Sequence, residues 1–185
     1  MDHPEDRGGR APARPDPDAD ASGQADVSAL SFEDFFEIEH DRLLGAMCLI
    51  TRNRYEAEEL MQDAFLKLWE RWDVVQSLAK PTGYLYRTAI NLWRMRRRRL
   101  LVAARHPFVA AAQTDAYEEV DLREDVARYL ASLTPRQRAA VVLTELLGFP
   151  PSEAADILKV APSTVRALTT QGRAALRSSL EDHDE

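Results

Sequence analysis

Arginine side chains recur at helical spacing in the middle of the chain, with aromatic side chains between them. Arg87, Asn91, Arg94 and Arg98 lie at i, i+4, i+7 and i+11, along one side of a helix. Guanidinium groups pair with phosphates and aromatic rings stack on bases, so this pattern suits a nucleic acid. A solvated basic face is the alternative. The predicted contact residues are Tyr84, Tyr86, Arg87, Asn91, Trp93, Arg94, Arg97 and Arg98.

The distribution of charge supports a polyanionic partner. Asp and Glu make up 31 of the 185 residues, yet none occurs between Val74 and Thr114. The same window contains Lys80 and seven arginines, although the whole chain carries a net charge of −7. Such segregation creates a local positive field, so an acidic total does not argue against binding to nucleic acid.

Composition also excludes several classes of protein. The single cysteine and four scattered histidines show no metal-ligand spacing. No nucleophile–base pair or phosphate-binding glycine loop is visible, so we expect no catalytic residue, metal or cofactor. No apolar run approaches the roughly 18–20 residues of a membrane span, and the N-terminus lacks the apolar core of a signal peptide. We therefore expect a cytoplasmic protein with no membrane insertion.

Periodicity predicts an all-α fold of two small helical domains joined by a flexible acidic linker. Residues 1–26 lack large apolar side chains after Met1, and residues 1–28 are predicted to be a disordered extension. The first domain is assigned to 29–102, the linker to 103–122 and the second domain to 123–185. Ser31 is a predicted helix N-cap, and Pro81 is predicted to begin a further helix.

The second predicted helix has one apolar and one polar face. Ala57, Leu60, Met61, Ala64, Phe65, Leu68, Trp69 and Trp72 form a continuous apolar stripe. The opposite face is charged but includes Leu66. Either this face contacts a protein partner or it is merely solvated, because single exposed leucines are common. The candidate contact residues are Glu59, Gln62, Asp63 and Leu66.

The C-terminal domain contains a helix-turn-helix pattern. Thr134 and Gln137 form a capping box before one helix, which is predicted to run to about Gly148. Ala155 is the small residue at the predicted helix crossing, Lys159 lies in the turn, and Pro162 begins the second helix. An ordinary helical hairpin is the alternative. The outward residues predicted to contact DNA are Ser163, Thr164, Arg166, Thr170, Arg173 and Arg177.

At this point the chain resembles a bacterial sigma factor of the extracytoplasmic function (ECF) class. Three motifs carry the resemblance, over about residues 31–180. They are Ala57-Glu58-Glu59-Leu60-Met61-Gln62-Asp63-Ala64-Phe65-Leu66, then Pro81-Thr82-Gly83-Tyr84-Leu85-Tyr86-Arg87-Thr88-Ala89-Ile90-Asn91, and Leu133-Thr134-Pro135-Arg136-Gln137-Arg138 with the helix-turn-helix.

The resemblance implies a role for each motif. The first is similar to the helix that binds core RNA polymerase, the second to the helix that melts and reads the promoter −10 element, and the third to the reader of the −35 element. The loop 73–80 would correspond to a pocket for a flipped-out base. An anti-sigma factor is a further implied partner, and the linker would pass near the RNA exit path, although a solvated linker explains the same residues.

The sequence therefore predicts a transcription initiation factor without catalytic chemistry of its own. A helix-turn-helix repressor or activator that binds operators alone is the alternative. That alternative accounts for the C-terminal half but leaves the patterned second helix and the block of arginines and aromatics unexplained.

Overall fold

The computed structural model describes residues 30–103 and 129–181, and these residues form helices joined by turns. The predicted extension at 1–28 lies outside the described residues, as does the predicted linker apart from Ala103. Within the described part of the chain, the all-α prediction is confirmed.

The first helices begin and end at residues that satisfy their terminal backbone groups. Helix α1 (Phe32–Thr51) has Ser31 as its N-cap, and the Ser31 side chain accepts from the Asp34 N–H. The chain then turns at Arg52, which adopts the left-handed conformation with φ 62°. Asn53 caps helix α2 (Arg54–Trp69) by accepting from the Glu56 N–H. These caps supply acceptors for N–H groups that have no partner inside a helix.

A short helix and a long helix complete the N-terminal half. Helix α3 spans Trp72–Val75, and helix α4 spans Pro81–Ala103 with proline at its start, as predicted. Helices α1, α2 and α4 pack on one another. The apolar side chains at their shared core are fully buried and include Leu43, Met47, Ile50, Leu60, Ala64, Leu68, Leu85, Ala89 and Ile90.

The apolar stripe predicted for α2 is wrong at its C-terminal end. Helix α2 ends at Trp69, so its periodicity does not extend to Trp72. Trp69 is 61% exposed, whereas Trp72 belongs to α3 and packs its ring against Phe32 and Phe35. The change of direction between α2 and α3, which the spacing of residues does not reveal, separates the two tryptophans.

The C-terminal half contains the predicted helix-turn-helix. Helix α5 spans Pro135–Val141, and its Thr134–Gln137 capping box is present. A π-helical segment, Val142–Leu146, then continues the path toward Gly148, which has a φ of 72°. Helices α6 (Pro151–Leu158) and α7 (Pro162–Glu181) follow, with Ala155 buried between elements. Lys159 adopts the left-handed conformation with φ 50°, so a turn that favours glycine is made by lysine.

The two halves pack directly against each other. Helix α4 contacts α6, and α1 contacts α5. One buried cluster includes Leu85 of α4 together with Ile157 of α6. The two-domain architecture is therefore present, but the domains meet in a common core that the sequence did not indicate.

Candidate nucleic-acid and protein interface

Helix α4 carries the predicted basic side along its length. Arg98 and Arg94 are exposed, and Asn91 and Arg87 are half-buried. The Arg87 guanidinium carbon lies 5.5 Å from the centroid of the Tyr84 ring, and that of Arg97 lies 5.1 Å from the Trp93 ring. Such cation–π contacts hold the arginines against the helix surface and orient their charge.

Two aromatic rings of the predicted nucleic-acid contact lie inside the protein instead. Tyr86 is 1% exposed and Trp93 is 5% exposed. The Tyr86 ring centroid lies 5.2 Å from that of Phe149 in an edge-to-face contact, and burial raises the pKa of the Tyr86 hydroxyl. Their burial contradicts the expectation that these rings stack on bases. Helical spacing did not show this, because Phe149 and α6 pack against α4 from the other half of the chain.

A cleft of about 850 Å³ separates the basic side of α4 from the helix-turn-helix. Its lining includes five cationic side chains and no acidic one. The Arg94 Nη1 atom donates to the Leu158 carbonyl oxygen at 2.7 Å, at the C-terminus of α6. The cationic lining residues are Arg94, Arg97, Arg98, Arg136 and Lys159.

A buried arginine adds to this positive charge. Arg138 of α5 is 6% exposed, and its Nη2 donates to the Leu133 carbonyl oxygen at 3.1 Å. The pKa of Arg138 is lowered to about 10. Burial is the largest cause, and repulsion from the nearby cations Arg52 and Arg97 adds to it. The group therefore remains charged at neutral pH. Sequence reasoning missed it because its position in the capping-box helix predicts no burial.

The predicted protein-contact face of α2 is partly exposed and partly bonded to another helix of the same chain. Gln62 and Leu66 are exposed, and Leu66 is 58% accessible. Glu59 and Asp63 instead accept hydrogen bonds from Arg96 of α4, with 3.1 Å between Arg96 Nη2 and Asp63 Oδ2. One arginine thus bridges two carboxylates one helical turn apart, and it joins the acidic face of α2 to the basic helix α4.

An apolar pocket of about 640 Å³ lies beside Leu66. Phe32 and Phe36 of α1 line it together with Phe65, Leu66 and Trp69 of α2, and its rim includes the acidic residues Glu33 and Glu37. The contribution of α1 was missed, because the pattern of residues along α2 does not show which other helix lies beside its exposed face. The pocket is chemically suited to an apolar side chain with basic neighbours.

The predicted reading face of the helix-turn-helix is open to solvent. Val165 is buried, while the outward residues of α7 are all exposed. Arg173 forms an ion pair with Glu145 of the π-helical segment, so this arginine is held toward its own domain. The exposed residues are Ser163, Thr164, Arg166, Thr170, Arg173 and Arg177.

The described residues contain no group of His, Cys, Asp and Glu side chains that could hold a metal ion. In the same ranges, no helix is long and apolar enough to cross a membrane.

Comparisons with known proteins match both halves. The family model "Sigma-70 region 2" matches residues 35–100, and "Sigma-70, region 4" matches residues 123–176. The RNA polymerase sigma-E factor of Streptomyces avermitilis is 28% identical over 84% of this chain and 88% of its own length. The ECF RNA polymerase sigma factor SigM of Mycobacterium tuberculosis is 30% identical over 79% of this chain and 75% of its own.

Solved structures share the fold. The sigma factor RpoE of Bartonella quintana, crystallised with the anti-sigma factor NepR, superposes with a TM-score of 0.66 at 22% identity. The match covers 81% of this chain and 96% of that one. CnrH, solved with the cytosolic domain of CnrY, gives a TM-score of 0.56 at 23% identity over 83% of this chain and 89% of its own. Because both sigma-70 regions match in order and a relative at 30% identity is covered over three quarters of its length, this chain belongs to the ECF family of RNA polymerase sigma factors.

Proposed function

We infer that this protein is a transcription initiation factor that binds core RNA polymerase and directs it to specific promoters. The observation that carries this inference is the presence of both regions in order, each with its exposed contact face. A stand-alone repressor needs only the C-terminal half. The repressor hypothesis leaves the apolar pocket beside Leu66 and the basic side of α4 without a role.

We assign the −10 element to α4, within a first domain of residues 29–102. Arg87, Asn91, Arg94, Arg97 and Arg98 supply cations and an amide along one side of the helix, and Tyr84 is the half-buried ring beside Arg87. Phosphate contacts of this kind position the duplex and its melted strand. Tyr86 and Trp93 support the helix from the core in this arrangement.

We assign the −35 element to α7, within a second domain of residues 123–185. The hydroxyls of Ser163, Thr164 and Thr170 and the guanidinium of Arg166 are exposed on one helix, which suits insertion into a major groove. Arg173 and Arg177 lie further along the same helix, where they would meet phosphates once Arg173 leaves its ion pair with Glu145.

We assign core polymerase to the face of α2 that bears Gln62 and Leu66, extended by the pocket that Trp69 and Phe36 line. Glu59 and Asp63 give this surface its acidic character while they hold Arg96. A polymerase helix that carries one apolar side chain flanked by basic side chains would fit this apolar pocket and its acidic surroundings. An anti-sigma factor is a second proposed partner, because the similar protein RpoE was solved in complex with the anti-sigma factor NepR. CnrH was solved in complex with the cytosolic domain of CnrY.

We further propose that the protein performs no chemistry itself and acts in the cytoplasm, where polymerase synthesises the RNA. Run-off transcription with purified core polymerase on a library of promoter fragments tests the proposed function. Discrete transcripts that appear only when the protein is added support it. Tight binding to duplex DNA by the protein alone, with no new transcript, would favour the stand-alone regulator.

A further inference from the structure

The cationic cleft beside α4 has the size of a small-molecule site. Its volume of about 850 Å³ lies within the roughly 300–1,000 Å³ that is usual for ligand pockets. Arg94, Arg97 and Arg98 enter the cleft from α4, whereas Arg136 and Lys159 enter it from the C-terminal half. A ligand in the cleft would therefore meet positive charge on more than one side.

The positive charge of this cleft is not neutralised by the protein. Within the described part of the chain, none of its five cationic side chains pairs with a carboxylate. The partner of Arg94 is the carbonyl oxygen of Leu158, which carries no formal charge. The buried Arg138 lies close enough to be repelled by Arg97, and its Nε has no hydrogen-bond partner among the described residues. Like charges that are gathered away from water favour a polyanionic ligand.

Lys159 reaches the cleft from a backbone conformation that disfavours a side chain. It makes the turn between α6 and α7 with a φ of 50°, where glycine is the residue that fits most easily. Strained conformations of this kind cluster at functional sites. A glycine would relieve the strain but could not supply the ammonium group, so the lysine is best explained by the charge that it brings to the cleft.

The rest of the lining suits a nucleoside. The Arg97 guanidinium carbon lies 5.1 Å from the centroid of the Trp93 ring, and a guanidinium held in this way can stack on a base with its opposite face. Met95 and Leu101 are 50% and 60% exposed and offer apolar contact. Asn91 adds an amide that can both donate to and accept from a base edge.

We propose that this cleft binds a nucleoside polyphosphate, whose phosphates pair with the cationic side chains and whose base lies against Arg97 and Trp93. The binding itself does not depend on the proposed function. One consequence does rest on it: Arg94, Arg97 and Arg98 are also proposed −10 contacts, so a bound nucleotide would compete with DNA for them. A melted DNA strand carries the same bases with one phosphate charge per nucleotide, and the experiment separates these two sources.

The first experiment is a titration of the full ¹⁵N-labelled chain with ATP, inorganic triphosphate, adenosine or a short thymidine oligonucleotide, followed by NMR. The chain has three tryptophans, and Trp93 is the one that lines this cleft. Trp69 lines the apolar pocket and Trp72 packs against Phe32, so their indole signals are internal controls. We expect ATP to shift the Trp93 signal below about 1 mM, the range in which a few charge-assisted contacts hold a ligand. Triphosphate should act more weakly, and adenosine should have no effect.

Three outcomes of this titration would overturn the proposal. The first is a Trp93 signal that ATP leaves in place. The second is an equal effect of ATP and triphosphate, which would show that the cleft binds phosphate groups without a nucleoside. The third is a shift that the oligonucleotide produces and ATP does not, which would assign the cleft to the melted strand.

The second experiment uses Lys159→Gly combined with Arg136→Gln, which removes two cations that belong to no proposed DNA contact. Glycine suits the φ of 50°, so the helical circular dichroism should be retained. The loss of two charge-assisted contacts should weaken ATP binding about tenfold or more. Lys67→Gln combined with Arg71→Gln is the matched control, because it removes the same two charges from exposed positions near the end of α2.

Equal ATP affinities for the parent and the Lys159→Gly, Arg136→Gln variant would overturn the proposal, as would an equal loss in the control variant. If the double variant loses helical circular dichroism, Arg136→Gln alone takes its place, with a loss of about threefold expected at this exposed position. Failure of the parent to support run-off transcription would contradict the proposed function and leave the ATP titration unaffected, so the two failures are distinguishable.

Discussion

Leu66 provides the most direct test of the proposed polymerase surface. Its side chain is 58% exposed beside the pocket that Phe65 and Trp69 line, so truncation removes little from the folded protein. Complete burial of a leucine contributes about 1.5–3 kcal/mol, and the exposed part of Leu66 corresponds to about 1–2 kcal/mol. Leu66→Ala should therefore weaken binding to core polymerase about tenfold.

The assay is a titration of fluorescently labelled protein with core polymerase, repeated at two salt concentrations. Leu180→Ala is the control, because Leu180 is 47% exposed at the far end of α7, away from the proposed surface. Leu66→Asp should reduce affinity much further, since a carboxylate would be buried against the apolar pocket. An affinity of Leu66→Ala within twofold of the parent, with the urea midpoint unchanged, would refute the placement of polymerase on this face.

Three further predictions follow from the same geometry. Arg94→Ala combined with Arg98→Ala should slow promoter opening, detected by permanganate reactivity of the melted strand, while circular dichroism stays unchanged; a normal opening rate would contradict the role of α4. Gly172→Ala should destabilise the protein by about 1–3 kcal/mol in urea unfolding, because the new Cβ would lie 2.6 Å from Val141 Cγ2, and a stabilised variant would show that this contact relaxes freely. Burial raises the pKa of the Cys48 thiol above its ordinary 9.0. The folded state therefore retains the thiol proton to a higher pH than the unfolded chain does. The contribution of Cys48 to stability should therefore be complete below pH 9.0 and decline as the pH rises toward the folded pKa, a decline that Cys48→Ala should remove.

Local signals in the sequence predicted the helices well. Ser31, Pro81, Thr134 and Pro162 mark helix starts because their effects depend on residues within one turn. Predictions failed where a helix changed direction, as between Trp69 and Trp72, or where its partner came from far along the chain, as for Tyr86. A helical pattern specifies which residues share a face but not what covers that face.

The sequence by itself determined the all-α class, the two regions and the chemical character of each surface. Charge segregation, capping residues and the helix-turn-helix register are properties of neighbouring residues, and they persist whichever way the helices assemble. Only the tertiary structure decided that Arg96 joins α2 to α4, that Arg94 bonds to Leu158, and that α4 and the helix-turn-helix lie against a common core. These contacts join residues dozens of positions apart, and they form only when the helices enclose a shared apolar interior from which water is excluded.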